Sequence, residues 1–327
     1  MNRWAPGQGA WWKRSRARAL SASVRERMRP GPLTSSLILS LTAACSHRAP
    51  LSVAPSEPRP AAVRLDFQPP VDRVLTETQR SVRSVERGSQ TLREEVELRT
   101  RTRFTPSEGG WLLAQDVPSS RLTRNGQQVP TEVADVLARF TLRAWLAADG
   151  TFVKLVAPEA AQEALRQVAP EGTEDGVLER FFEPEALEAR ARREWEVKFS
   201  GLFQRNLVEG QQSWVVDLVP LGDSQVAYVL ERTVQGTRDT PLGSAVVLGL
   251  RCLDTVPEDA PDALSEAWVM AGRPELTPGV SCEGEQLVAR GRFMPVSRQL
   301  TVRATVAGEA WTLMTESRTE GLQEEAR

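Results

Sequence analysis

The chain has 327 residues, 40% hydrophobic and 26% charged, an ordinary globular balance with length for one large domain or two small ones. Its net charge of −2 hides an asymmetry: residues 1–30 hold eight basic side chains against Glu26 alone, whereas residues 45–327 hold 33 basic groups against 42 acidic ones. So acidic a body lacks the clustered positive charge that nucleic acid requires, and the single histidine, His47, excludes Ser–His–Asp catalysis, Cys–His catalysis and nearly all zinc sites from the residues beyond it.

Along the chain, Leu33–Ala44 is the first apolar segment, twelve apolar or small residues without a charge. It is too short to cross a bilayer, which takes about 20 residues, and has the length of a signal-peptide core. It ends in Leu41-Thr42-Ala43-Ala44-Cys45, where small residues let the chain lie extended in a peptidase cleft and the cysteine offers a thiol for alkylation. The segment resembles the lipobox of bacterial lipoprotein precursors. That resemblance covers the signal alone, and Thr42 stands where the family usually carries leucine or another aliphatic residue. It implies cleavage before Cys45, lipid on Cys45 and attachment to a membrane of the bacterial cell envelope. Ser46, in place of aspartate, favours the outer membrane. Residues 1–44 then divide into a basic extension and a signal peptide, with Met28 a better-sized translation start than Met1.

Residues 45–70 carry prolines at 50, 55, 58, 60, 69 and 70, a density that reads as an extended tether, although Val63, Leu65 and Phe67 share one face of a short strand. Residues 71–320 are expected to form the envelope domain and residues 321–327 a frayed acidic tail. Within the domain, Val71, Val74, Leu75, Thr78, Val82 and Val85 weakly suggest a helix. Period-two alternation then dominates. In Glu95–Phe104 the charged residues Glu95, Glu97, Arg99, Arg101 and Arg103 face solvent, and Val96, Leu98, Thr100, Thr102 and Phe104 face a core. Gly109-Gly110, Asn125-Gly126 and Asp149-Gly150 mark turns of successive hairpins, around strands at Trp111–Val117, Arg121–Arg124, Gln127–Val129, Val136–Leu146 and Thr151–Val156.

A helical insert is expected over 158–202. Pro158 opens one helix, with Ala161, Ala164, Leu165 and Val168 as its stripe, and Pro170 and Gly172 break it. Thr173 caps a short helix through Phe182, and Pro184 opens a longer one with Leu187, Ala191, Trp195 and Phe199 in line. Strands resume with Trp214, Val216 and Leu218, a turn at Gly222-Asp223, and Val226, Tyr228, Leu230 and Val234. The wholly apolar Ala245–Leu253 reads as a central strand. Leu287–Phe293, the run Leu300, Val302, Ala304 and Val306, a turn at Ala307-Gly308 and Trp311–Thr315 complete the set. The fold class expected is α+β: antiparallel sheet, strongly curved if it is one piece, with helices on one side.

Few residues offer chemistry. With Cys45 lipidated, Cys252 and Cys282 form an even pair outside the cytoplasm, which predicts a disulfide. The acidic run Glu258-Asp259-Ala260-Pro261-Asp262 has no calcium-loop spacing, Lys154 and Lys198 lack a serine motif, and no glycine-rich phosphate loop is present. Trp145, among arginines opposite Leu142, is the tryptophan best placed for a surface or groove. No catalytic residue, metal site or cofactor is assigned. The expectation is therefore a lipid-anchored, non-enzymatic envelope protein that binds an apolar ligand or a protein partner. The alternative is a hydrolase of envelope glycans working through carboxylates alone, which leave no local motif.

Overall fold

The computed structural model describes residues 62–129, 141–166, 183–221, 224–258, 260, 262–291 and 293–324. The leader with Cys45, the strand residues Ala138 and Phe140, the short helix ending at Phe182 and the turn at Gly222-Asp223 lie outside the described residues.

Among the described residues the strands are β1 (Val63–Leu65), β2 (Arg73–Arg87), β3 (Gln90–Ser107), β4 (Gly110–Arg124), β5 (Gln127–Val129), β6 (Thr141–Ala147), β7 (Phe152–Leu155), β8 (Arg205–Leu207), β9 (Gln212–Leu221), β10 (Ser224–Thr240), β11 (Gly243–Leu253), β12 (Ser281–Ala289), β13 (Pro295–Val306) and β14 (Glu309–Glu324). The helices are α1 (Pro158–Arg166), α2 (Pro184–Phe199) and α3 (Asp262–Met270). One antiparallel sheet runs in the order β7-β6-β4-β3-β2-β14-β13-β12-β11-β10-β9, with β5 beside β4, and β1 and β8 form a separate pair. Pairing of β2 with β14 joins the two runs of hairpins into a single sheet.

Among the described residues strands make up 64% and helices 13%, so the described fold is mostly β, and the α+β expectation holds only in that helices cover a sheet. The helices also occupy both faces. Helix α2 packs on the face that presents Leu230 and Val215. Helix α3 packs, through Leu264 and Trp268, on the face that presents Val229 and Val216. Adjacent strand residues point to opposite sides, so these are opposite faces. The face under α2 is called inner below.

Three further expectations are corrected. Residues 71–85 are strand, not helix. Their β-branched side chains suit a pleated strand, and β2 is central, with Leu75 and Val85 buried on one face and Val74 and Val82 on the other. The acidic tail is not frayed at Gly321: β14 continues to Glu324, its register resumes beyond a bulge, and Leu322 opposite Leu75 packs into a core cluster. The tether does not extend to residue 70 either. Val63, Leu65 and Phe67 are buried, and the Phe67 ring lies 4.8 Å from Phe293, 5.1 Å from Phe203, 6.1 Å from Trp195, 6.2 Å from Phe104 and 6.3 Å from Trp111.

Elsewhere local chemistry and structure agree. Asn125 and Gly126 both have positive φ, 49° and 79°, as the two-residue hairpin between β4 and β5 requires. Gly150 has φ 86°, and a Cβ there would come within 2.7 Å of the Phe67 ring, so both backbone and packing demand glycine. The stripe Leu187, Ala191, Trp195 and Phe199 of α2 meets Phe67, Phe104, Leu146 and Phe293 in one cluster. Val246 and Leu248 on one face of β11 and Ala245 and Val247 on the other are all buried. On the outer face of β2, β3 and β4 the charges form a cross-strand ladder, Arg80 with Glu95 at 2.8 Å and Arg101 with Asp116 at 2.5 Å. Cys252 and Cys282 are bonded, with Cα atoms 5.0 Å apart, and tie the end of β11 to the start of β12 around α3.

Phe67→Ala is expected to destabilise the protein by about 3–5 kcal/mol, read as a lower urea midpoint at unchanged slope. Glu94, held by Arg83 and Arg124, has its carboxyl below the usual range, chiefly through the Arg83 hydrogen bond. Its folded-state pKa is depressed, so its stabilisation is present above the unfolded pKa and disappears as pH falls through the folded one. Glu94→Gln should therefore cost about 1 kcal/mol at pH 7 and progressively less as the pH falls into the acid range, a trend that thermal melts at several pH values would check.

Candidate functional site

Helix α2 fixes the shape of the inner face. Glu188 Oε2 accepts from the Leu155 N–H at 3.1 Å, Arg192 donates to the Phe152 and Val153 carbonyls at 2.9 and 2.6 Å, and Trp195 Nε1 donates to the Gly150 carbonyl at 2.8 Å. These bonds satisfy one edge of the sheet, β7 and its approach. From the neighbouring side of the same turns, Ala189, Arg193 and Glu196 face Trp214, Val215 and Val216 of the other edge strand, β9. Eleven strands laid flat would span roughly 48 Å at about 4.8 Å per step, whereas a helix with its side chains is only about 10–12 Å across. The sheet must therefore curl around α2. It does not close, since β7 and β9 are not paired.

Curling leaves space between α2 and the sheet. One chamber of about 100 Å³ is lined by Phe104, Leu113, Leu146, Phe152, Trp195 and Phe293, and at its other end by Glu77, Gln286 and Arg298. A second, of about 220 Å³, lies along Gln79, Ser81, Val96 and Leu98. Both are bordered by Glu194, Lys198, Arg298 and Ser317, so they adjoin across a shared polar border beside the C-terminal half of α2. Strand register explains the polar band. Gln79, Ser317, Arg298 and Gln286 stand opposite one another across β2, β14, β13 and β12.

Beyond this band, the last carbonyls of α2 find buried donors. Gln286 Nε2 donates to the Lys198 carbonyl at 2.8 Å and Arg232 Nη2 to the Ser200 carbonyl at 2.5 Å, the positive charge lying where the helix dipole is negative. Arg232 is only 1% exposed. Burial, and then the neighbouring guanidiniums of Arg298 and Arg205, push it down to about 9, which leaves it charged at neutral pH. Its Nε and Nη1 have no hydrogen-bond partner, nor do Nε and Nη2 of Arg298 or Oε1 of Gln286. Close by, Tyr228 donates to Asp217 at 2.7 Å, and burial raises its hydroxyl well above the ordinary tyrosine value.

The residues singled out from sequence fall mostly elsewhere. Cys45 is outside the described residues. Cys252 and Cys282 are bonded and line neither chamber, and Cys282 belongs to the inner core cluster. Trp145 is half-buried on the outer face, opposite Leu112 and Lys154, and lines neither chamber. Lys154 is exposed on β7, whereas Lys198 borders both chambers. Glu77 and Glu194 are the carboxylates that line the aromatic chamber among the described residues. No group of three or more His, Cys, Asp or Glu side chains assembles among those residues. Arg232, Arg298 and Gln286 went unnoticed, although Arg232 interrupts the apolar alternation of Val226, Tyr228, Leu230 and Val234 and was legible by parity.

No family model matches this chain, and no curated protein matches it. Among solved structures, lipovitellin is similar at 8% identity and TM-score 0.43 over 80% of this chain; the match spans 26% of the lipovitellin chain, so this chain corresponds to about a quarter of it. A Bacteroides fragilis protein with a YmcC-like fold is similar at 9% identity and TM-score 0.25, over 80% of this chain and 99% of that one. A DUF1329 family protein from Desulfovibrio piger is similar at 8% identity and TM-score 0.18, over 77% and 86%. At these scores and identities none of them carries an argument about what this chain does.

Arg192→Ala should expose the edge carbonyls of Phe152 and Val153 and loosen β7 from α2. Hydrogen exchange is expected to accelerate at least tenfold in residues 152–155 while the amides of β11 and β12 keep their protection.

Proposed function

We propose that this protein is a lipid-anchored protein of the bacterial envelope, held through Cys45, and that it binds an apolar molecule between α2 and the inner face of its sheet. One observation carries the binding reading. The curled sheet and α2 leave two neighbouring chambers with a shared polar border, one of them walled by Phe104, Leu113, Leu146, Phe152 and Trp195. Small-molecule sites are likewise largely apolar with a few placed polar groups. The anchor rests on the signal-like Leu33–Ala44 segment and the cysteine that follows it. At least two acyl chains are needed for stable attachment, which the lipoprotein pathway supplies.

Protein extracted gently from its own host's membranes gives the test. Under denaturing conditions the mass should equal residues 45–327 plus acyl groups, less the two hydrogens of the Cys252–Cys282 disulfide. Under native conditions a small hydrophobic passenger should remain attached. An unmodified N-terminus elsewhere in the chain would remove the anchor, and a protein that is bare and takes up no apolar probe would remove the binding role.

A further inference from the structure

We infer that the polar junction of the two chambers seats an acidic head, carboxylate or phosphate, of an amphiphile whose hydrocarbon lies against the aromatic wall. This rests on the proposed reading of the chambers as an apolar-ligand site and names the chemistry of the ligand's other end.

The argument begins with unused donors. Arg298 borders both chambers, and its Nε and Nη2 are buried without an acceptor. Those two N–H groups lie on one edge of the guanidinium, the edge that meets a carboxylate or phosphate side-on. The protein uses the same edge elsewhere for carboxylates: Arg101 on Asp116, Arg124 on Glu94 and Arg251 on Glu231 each donate through Nε and Nη2. At Arg298 the fork is formed and no oxygen of the described residues fills it.

Behind it stands a second unmatched cation. Arg232, almost wholly buried, has spent Nη2 on the Ser200 carbonyl and keeps Nε and Nη1 unpartnered. Among the described residues neither Arg232 nor Arg298 forms an ion pair, although surface arginines throughout the chain do. Lys198 adds a third positive charge to the rim. Three carboxylates stand near, and among the described residues none forms an ion pair with them: Asp217 accepts from Tyr228 at 2.7 Å. Glu77 lines the aromatic chamber and holds Gln79 Nε2 at 3.3 Å, and Glu194 is exposed on α2. Gln286, 2% exposed and lining the chamber, has a buried Oε1 without a donor, a candidate acceptor for a hydroxyl on the head. Buried guanidinium donors without acceptors are costly, and an incoming anion removes that cost. A single acidic head next to an apolar wall matches the arrangement from both ends.

The test uses the full chain, stripped of passenger, and three probes: cis-parinaric acid, its methyl ester and inorganic phosphate. The acid should bind at least tenfold more tightly than the ester, by probe fluorescence. Arg298→Gln should abolish that preference, read as the ratio of acid to ester affinity within the one variant, and Arg298→Lys should restore only part of it, since it keeps the charge and loses the fork. Equal binding of acid and ester by the unaltered protein would overturn the acidic head and leave the apolar site standing. Binding of neither probe would overturn both. Displacement of the acid by millimolar phosphate alone would mean a free-anion site and would overturn the amphiphile. The comparison of acid with ester needs no variant, so poor folding of Arg298→Gln would not shield the inference.

Discussion

The constraint on which the structure depends is that both edges of one long sheet must end against a single helix. An open antiparallel sheet leaves a row of unpaired N–H and C=O groups at each border, and proteins cover or shorten such edges. Here β7 is short, and α2 supplies side chains in place of a neighbouring strand: Glu188 accepts, Arg192 and Trp195 donate. The residues one position on, 189, 193 and 196, turn to β9. With its two sides committed to the two edges, α2 has its apolar stripe left for the inner face. That explains why so charged a helix is buried along one line. It also explains why the sheet curls without closing: the helix occupies the place where β7 and β9 would otherwise meet.

The same constraint brings charge into the interior. A helix that ends inside a sheet presents carbonyls that water does not reach, and they need donors. Gln286 and Arg232 supply them, from strands β12 and β10 beneath the last turn. A neutral donor would cap the helix at lower cost than a guanidinium, because burying an unpaired cation costs several kcal/mol. Arg298 is harder still to explain by capping, because it borders both chambers and no described oxygen accepts from its Nε and Nη2. A polar group kept at a cost to stability, in the place where a ligand would sit, is where function is usually found.

Strand positions and turns were largely legible in the sequence because they follow from period-two alternation and from residues that tolerate positive φ. Asn125-Gly126 and Ala307-Gly308 both turn where expected, each with two consecutive positive φ values. The stripe of α2 was legible for a similar reason. Residues 71–85 were misread because a central strand buries apolar side chains on both faces, and Val74, Leu75, Val82 and Val85 then imitate helical spacing. The ends were misread because composition stood in for pairing: prolines suggested a tether and glutamates a tail, while Phe67 and Leu322 each find a buried place far away in sequence. The candidate site was not legible as a site. Its residues come from nine strands and a helix, and no local pattern joins Glu77, Arg232, Gln286 and Arg298. Only the curl of the sheet does.

Phe67 ties the start of the described fold to the proposed cavity. It is the first aromatic side chain of the described fold, and it touches Trp195 and Phe293, both of which line the aromatic chamber. Burying hydrocarbon against such a wall is worth roughly 0.8 kcal/mol per methylene. The first residues of the described fold therefore serve the core and the proposed site together, because the ring that closes the aromatic cluster also backs the wall of the chamber.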